Sequence, residues 1–147
     1  MTYLDSSAII KLFVAERGSS FVQRLVVRAP PSATAKVASV EVYAGLSRKR
    51  RDGDLLDLRY ARACREFERE WQAYIRIDLR DEILWLARDV VRRHPLRGFD
   101  AVHLATALSL RERFREDVTL AGADERLLRA SRAEGLIALD VEEASDE

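Results

Sequence analysis

Five short apolar runs, separated by helix-length segments, constrain the fold of this chain more than any other feature. Thr2-Tyr3-Leu4, Ala33 to Ala38, Tyr74-Ile75-Arg76-Ile77, Val118-Thr119-Leu120-Ala121 and Leu136-Ile137-Ala138-Leu139 are each of strand size. Parallel strands need a crossover between them, and the intervening segments supply it: Ala8 to Ala15, Ser19 to Arg28, Ser39 to Arg51, Leu55 to Tyr74, Asp81 to Arg93, Phe99 to Arg111 and Asp124 to Ala133 all read as helices. Alternation of this kind implies an α/β fold with a short parallel sheet flanked on both faces by helices. Ser6 or Ser7 and Ser39 are the expected helix caps. Pro30-Pro31, Asp52-Gly53-Asp54 and Pro95 to Gly98 supply the breaks. Phe99 to Arg111 reads as the most buried helix, with Ala101, Leu104, Ala105 and Leu108 at i, i+3, i+4 and i+7.

At 147 residues, 48% hydrophobic and 34% charged, the chain suits a single domain able to bury its own core. The expected boundaries are 1–141 for the domain and 142–147 for an acidic, frayed tail. Cys64 is the one cysteine, which excludes a disulfide framework and a cysteine-rich zinc site and points to a reducing compartment. No apolar stretch approaches the ~20 residues needed to cross a bilayer. The opening Met1-Thr2-Tyr3-Leu4-Asp5 has neither the basic start nor the apolar block of a signal peptide. The expectation is a cytoplasmic protein with no membrane association.

The net charge is zero but unevenly spread, at +5 over residues 1–50, 0 over 51–100 and −5 over 101–147. Bulk attraction to a polyanion is therefore not expected, and any nucleic-acid contact must be a local patch. Nearly all the cations are arginine, with only Lys11, Lys36 and Lys49 as lysine. Arginine suits bidentate phosphate contacts, although a GC-rich genome produces the same bias.

In an open parallel sheet, ligands bind beyond the carboxyl ends of the strands. Asp5 ends the first strand, Glu41 begins the helix after the second, and Asp124 follows the fourth. Asp100 opens the small-residue helix. Taken singly, Asp5 suits a helix cap, and Asp100 and Asp124 suit first turns, where acids favour the helix dipole. Glu41 is harder to place, because Val40, Val42, Tyr43 and Ala44 around it are largely apolar and a buried acid is costly unless paired or metal-bound. Gly45, one turn later, leaves room for a close neighbour. Convergence of these acids would raise some of their pKa values and destabilise the fold, and a divalent cation removes the conflict. Oxygen ligands without a His or Cys set favour Mg²⁺ or Mn²⁺ over zinc. Metal-dependent phosphodiester hydrolysis fits best, with in-line attack by an activated water leaving a 5′-phosphate and a 3′-hydroxyl.

Other chemistries find less support. No GxGxxG or GxxxxGK[ST] occurs, no HExxH occurs, and Asp5-Ser6-Ser7 lacks the second Asp of an aspartyl-phosphate phosphatase. His103, three residues after Asp100, either borders the site or packs as a structural histidine. Phe99, Trp71 and Trp85 fall at helical spacings that suit core or interface rather than base stacking.

Tyr3-Leu4-Asp5-Ser6-Ser7-Ala8, Ser39-Val40-Glu41-Val42, Phe99-Asp100-Ala101-Val102-His103-Leu104-Ala105-Thr106-Ala107-Leu108 and Ala123-Asp124-Glu125-Arg126-Leu127 together resemble the PIN-domain ribonucleases, and among them the VapC toxins of toxin–antitoxin pairs. The resemblance runs over essentially the whole chain. It implies an Mg²⁺ or Mn²⁺ site in which Asp5, Glu41 and Asp100 match the three core acids and Asp124 the more variable fourth. Ser7 matches a small hydroxyl residue near the metal. It also implies cleavage of structured RNA of the tRNA or rRNA class, arrest of translation, a homodimer, and a cognate antitoxin whose tail enters the active-site groove. The chain departs from the pattern at Gly122, where Thr or Ser is common, and this puts the weight carried by Asp124 in question.

Arg48, seven residues after Glu41 on the same helix side, and Lys11 are the expected phosphate contacts; the Arg48 to Arg51 run equally suits a solvated helix end. The leading reading is a metal-dependent endoribonuclease toxin. The alternatives are a non-catalytic PIN-like module that binds RNA or protein and, more weakly, a small-molecule phosphohydrolase.

Overall fold

The computed structural model describes residues 1–143. Within them lie β1 (Thr2–Leu4), α1 (Ser6–Ile10), α2 (Ser19–Arg28), β2 (Ala33–Ala35), α3 (Ala38–Arg51), α4 (Asp57–Trp71), β3 (Ile75–Ile77), α5 (Asp81–Arg93), α6 (Gly98–Phe114), β4 (Thr119–Gly122), α7 (Glu125–Ala133) and β5 (Ile137–Asp140). The strands form one sheet in the order β3-β2-β1-β4-β5, parallel throughout. Each of the five apolar runs therefore coincides with a strand, β4 and β5 ending one residue later at Gly122 and Asp140, and the expected α/β class holds.

Two apolar layers follow from the two-residue alternation of the strands. Tyr3, Ala33 and Leu120 face the side covered by α5, α6 and α7, whereas Leu4 and Ala121 face α1, α3 and α4. On the second side Phe67 of α4 is fully buried between the rings of Phe13, Tyr43 and Trp71. A fully buried side chain of this size contributes about 1.5–3 kcal/mol. On the first side α6 is buried over nearly every turn from Ala101 to Leu108, as an all-round apolar helix must be. α5 packs along it through Ile83, Ala87 and Val90. Close packing at Gly45 is also as expected: a Cβ there would meet Ile10 at 2.5 Å, so α1 and α3 approach over a position with no side chain.

The helix starts differ from expectation for identifiable reasons. α1 begins at Ser6 rather than Ala8 because the Asp5 carboxylate, itself a cap the sequence offered beside Ser6 and Ser7, accepts the Ala8 N–H. It also ends early, as Lys11, Leu12 and Phe13 hydrogen-bond three residues back rather than four. Ser39 does not cap α3; its hydroxyl donates to the Lys36 carbonyl inside a helix that opens at Ala38.

β1 is central, with β2 on one side and β4 on the other, so chain direction across the sheet reverses at the β1–β4 seam. That is the topological switch point, and the crevice beyond its carboxyl end is the default ligand position. No helix among the described residues is long and apolar enough to cross a membrane.

A charged cluster ties the chain's ends together on the opposite side of α1. The Lys11 ammonium, only 4% exposed, donates to Glu16 at 3.1 Å and to Glu142 at 2.8 Å, while Lys49 reaches Glu16 at 2.7 Å. Glu142, placed at the start of a frayed tail by sequence, is thereby held; residues 144–147 lie outside the described residues. Lys11→Met is expected to cost about 1–3 kcal/mol through loss of two charge-assisted hydrogen bonds, read as a lower midpoint in thermal unfolding. An unchanged midpoint would reduce the cluster to a surface ornament.

Candidate active site

Asp5 is the first residue past the central strand, and it is 4% exposed. Its Oδ1 accepts the Ser7 hydroxyl at 2.6 Å and the Ala8 N–H at 2.9 Å. Ser7 in turn accepts the Ala123 N–H at 3.0 Å, so one hydroxyl links the Asp5 carboxylate to the end of β4. The carboxylate also lies flat against Gly122. A Cβ at that position would stand 2.5 Å from Oδ2 and 2.7 Å from Cγ. The departure at Gly122 thus has a steric meaning: the bare backbone makes the space that Asp5 occupies.

Glu41 projects from the first turn of α3, and its side chain is 21% exposed. Its Oε1 lies 2.6 Å from His103 Nε2, and His103 Nδ1 lies 2.6 Å from the Tyr3 hydroxyl. Burial pushes the Tyr3 phenol well above its ordinary pKa. It therefore stays protonated and donates to Nδ1, which leaves Nε2–H to donate to Glu41. The histidine is structural, one of the two roles open to it by sequence, and it orients a site residue. Sequence spacing offered no sign of this link, since Tyr3, Glu41 and His103 lie on three separate elements.

Asp100, in the first turn of α6, and Asp124, the cap of α7 whose Oδ1 accepts the Leu127 N–H at 3.0 Å, complete the set. Asp5, Glu41, Asp100 and Asp124, together with Ser7, line a single cleft of about 950 Å³ at the carboxyl end of the β1–β4 seam. All four sequence-expected acids and Ser7 are brought together.

The crowding shows at Asp5 and Asp100. Burial, reinforced by Asp124 and Asp5, raises the Asp100 carboxyl above the usual range. Burial also raises Asp5, with Glu41 adding to it, against the hydrogen bonds from Ser7 and Ala8. Among the described residues no three of these acids share one coordination sphere. Asp5, Glu41 and Asp124 are drawn instead to Ser7 and Ala8, to His103, and to the Leu127 N–H. The donors facing the cleft are all oxygens, a set that suits a hard cation rather than zinc.

The two expected phosphate contacts are corrected. Lys11 is buried in its ion pairs with Glu16 and Glu142 and does not line the cleft. Arg48 sits exposed near the far end of α3, outside the cleft lining. Seven residues of helix return it to the side of Glu41 but carry it about 10 Å down the axis, away from the strand ends. The cations that do line the cleft are Arg88 and Arg92 of α5 and Arg97 before α6. Their signal in the sequence was a second stripe on α5, with Leu84, Arg88 and Val91 flanking the buried Ile83–Ala87–Val90 face. Phe99, expected in core or interface, is 56% exposed and forms part of the cleft wall.

A carboxyl with a raised folded-state pKa binds more protons folded than unfolded, so its contribution to stability falls as pH rises through that range. Asp100→Asn is therefore expected to raise the unfolding midpoint in metal-free buffer near pH 7, by about 2–4 °C for each kcal/mol of repulsion removed. The gain should shrink as pH is lowered toward the ordinary carboxylate range. A midpoint below that of the wild type at neutral pH would contradict mutual repulsion at the site.

The profile of the PIN domain family matches residues 2–133. Ribonuclease VapC45 of Mycobacterium tuberculosis is 34% identical over 135 residues, covering 92% of each chain. Among solved structures, a toxin–antitoxin complex from Klebsiella pneumoniae superposes with a TM-score of 0.67 at 18% identity, covering 96% of this chain and 98% of that one. The sarcin–ricin-loop-cleaving toxin VapC20 of Mycobacterium tuberculosis gives a TM-score of 0.66 at 17% identity, covering 93% of this chain and 97% of its own. At those identities the two structures speak to the fold.

Proposed function

Because the chain belongs to the PIN-domain family and groups with its VapC ribonucleases, we propose that it is a divalent-metal-dependent endoribonuclease, the toxin of a toxin–antitoxin pair. The observation that carries this reading is the convergence of Asp5, Glu41, Asp100 and Asp124, from four separate parts of the chain, on one cleft.

The residues fit a hard divalent cation. They offer only oxygen, and burial and mutual charge raise the Asp5 and Asp100 carboxyls. Asp5, Glu41, Asp100 and Asp124 would hold Mg²⁺ or Mn²⁺. When bound, such a cation supplies Lewis acidity at the scissile phosphate and lowers the pKa of water. The chain's own residues do the rest. The buried Tyr3–His103 pair keeps one Glu41 oxygen occupied and fixes the orientation of the other. Ser7 and the Ala8 N–H hold Asp5 against rotation. Without a cation the same cluster would repel the phosphodiester it is proposed to cut.

The proposed substrate is structured RNA of the tRNA or rRNA class, with arrest of translation as the consequence. The proposed partners are a cognate antitoxin protein, supported by the fold shared with the Klebsiella toxin–antitoxin complex, and a second copy of the chain.

The direct test is incubation of total cellular RNA with the purified protein, in Mg²⁺ or Mn²⁺ and in EDTA, beside Asp5→Asn. Discrete fragments that require metal are expected, with a loss of at least about a hundredfold in the variant, the scale set by removing one group from a preorganised electrostatic site. Failure of folded wild-type protein to cleave with either metal would replace the nuclease by a non-catalytic RNA- or protein-binding module.

A further inference from the structure

The residues that follow β5 reach both elements that hold Asp5. The Val141 N–H donates to the Gly122 carbonyl at 3.0 Å, which extends the β4–β5 pairing to the glycine against which the Asp5 carboxylate rests. Val141 itself is fully buried, in the apolar layer it shares with Leu4, Ala8 and Ala121. Asp140, the last residue of β5, accepts the Glu142 N–H at 2.9 Å on its Oδ1. Glu142 Oε1 in turn accepts from the Lys11 ammonium at 2.8 Å.

Lys11 is the residue that closes α1. Its N–H bonds to the carbonyl of Ala8, and the N–H of that same Ala8 bonds to Asp5. A helix of five residues is too short to hold its shape alone, and this one is fastened by Asp5 at its start and by Glu142 at its end. Burial acts to lower the Lys11 pKa, yet the hydrogen bonds to Glu142 and Glu16 raise it above the ordinary value, so the fastening stays charged. At Glu16 it is joined by Lys49 at 2.7 Å, which attaches α3, the helix that carries Glu41, to the same cluster. Across from it, a Cβ at Gly18 would stand 2.7 Å from the Val141 carbonyl oxygen, so the start of α2 closes over this segment with no side chain between. A buried ion pair adds little net stability over an apolar contact of the same shape. What it can supply is one fixed arrangement, and this pair lies on the elements that fix Asp5.

We propose that Lys11 and Glu142 are positioning residues of the acidic site: the segment after β5 clamps α1 to Gly122 and thereby holds the Asp5 carboxylate in place. The inference rests on the nuclease reading for the use to which Asp5 is put. It adds what keeps a single helical turn seated beside a cluster of like charges.

The test compares the wild-type chain with Glu142→Ala, Glu142→Gln and Glu134→Gln, all well below their unfolding midpoints. Glu134→Gln is the control, since it removes ion-pair charge at Arg93 and His94 on the other side of the sheet. In EDTA, Glu142→Ala is expected to lower the NMR order parameters of the Ala8 and Ala123 amides from the rigid value of about 0.85 toward about 0.6, with Leu104 in α6 unchanged. Its affinity for Mn²⁺, read by electron paramagnetic resonance, is expected to fall about tenfold, the scale for partners that orient a metal's ligands. Glu142→Gln keeps an acceptor oxygen for Lys11 and should recover most of both quantities, and Glu134→Gln should change neither. The proposal is overturned if Glu142→Ala keeps the wild-type order parameters at Ala8 and Ala123. It is overturned equally if they fall while Mn²⁺ affinity stays the same, or if Glu134→Gln weakens Mn²⁺ binding as much as Glu142→Ala. Metal-dependent cleavage of total RNA at equal rates by the wild type and Glu142→Ala would retain the nuclease and remove the clamp. Order parameters that fall as expected, with neither Mn²⁺ binding nor cleavage by the wild type, would retain the clamp on Asp5 and remove the nuclease.

Discussion

A carboxylate buried at the end of the central strand sets the terms for the rest of this molecule. Asp5 is lodged between the first turn of α1 and the bare backbone of Gly122, where water cannot solvate its charge. Three protein features compensate: the Ala8 N–H at the start of α1, the Ser7 hydroxyl, and the link from Ser7 to Ala123. They bind β1, α1 and β4 at the switch point of the sheet. The same contacts that tolerate the charge also fix its position, which is what a preorganised site requires.

Around that fixed point the fold brings in three further acids rather than three cations, and this is the opposite of what stability alone would select. The Tyr3–His103–Glu41 chain shows how far the core is committed to the arrangement. A phenol facing the α5–α6 layer, a fully buried imidazole on α6 and a carboxylate on α3 are joined by two bonds of 2.6 Å. Charged partners for Lys11 and Lys49 are instead placed elsewhere, on Glu16 and Glu142. The charge balance of the chain is thus segregated: the ion pairs of Lys11 and Lys49 lie outside the cleft, while the four acids and Arg88, Arg92 and Arg97 line it.

Much of this is legible in the sequence. β1, β2 and β3 fall within the short apolar runs and β4 and β5 overrun theirs by one residue, α2 and α5 begin and end where periodicity puts them, and the four acids stand out as strand-end or helix-start residues. Positions fixed by periodicity and by strand ends are encoded locally, so they can be read locally. What could not be read depended on distance along an axis or between elements. Arg48 satisfies helical periodicity with Glu41 yet lies too far down α3, and Lys11 is claimed by Glu142, which is remote in sequence. Phe99 shares the spacing of a buried helix, but its position in the first turn of α6 lifts it out of the layer. The Asp5 cap was among those the sequence offered, whereas the His103–Glu41 bond depended on what stands opposite.

We propose that a divalent cation resolves the repulsion among the four acids that line the cleft. This is tested most directly by titrating the purified wild-type protein with Mn²⁺ at neutral pH, following free Mn²⁺ by electron paramagnetic resonance, beside Asp5→Asn/Asp100→Asn. Saturable binding by the wild type, with affinity lost in the double variant, is the expected result. Equal binding by the two proteins, or no binding by folded wild type at millimolar Mn²⁺ (a concentration on the order of that at which weak oxygen sites fill), would contradict a metal-binding role for the cluster.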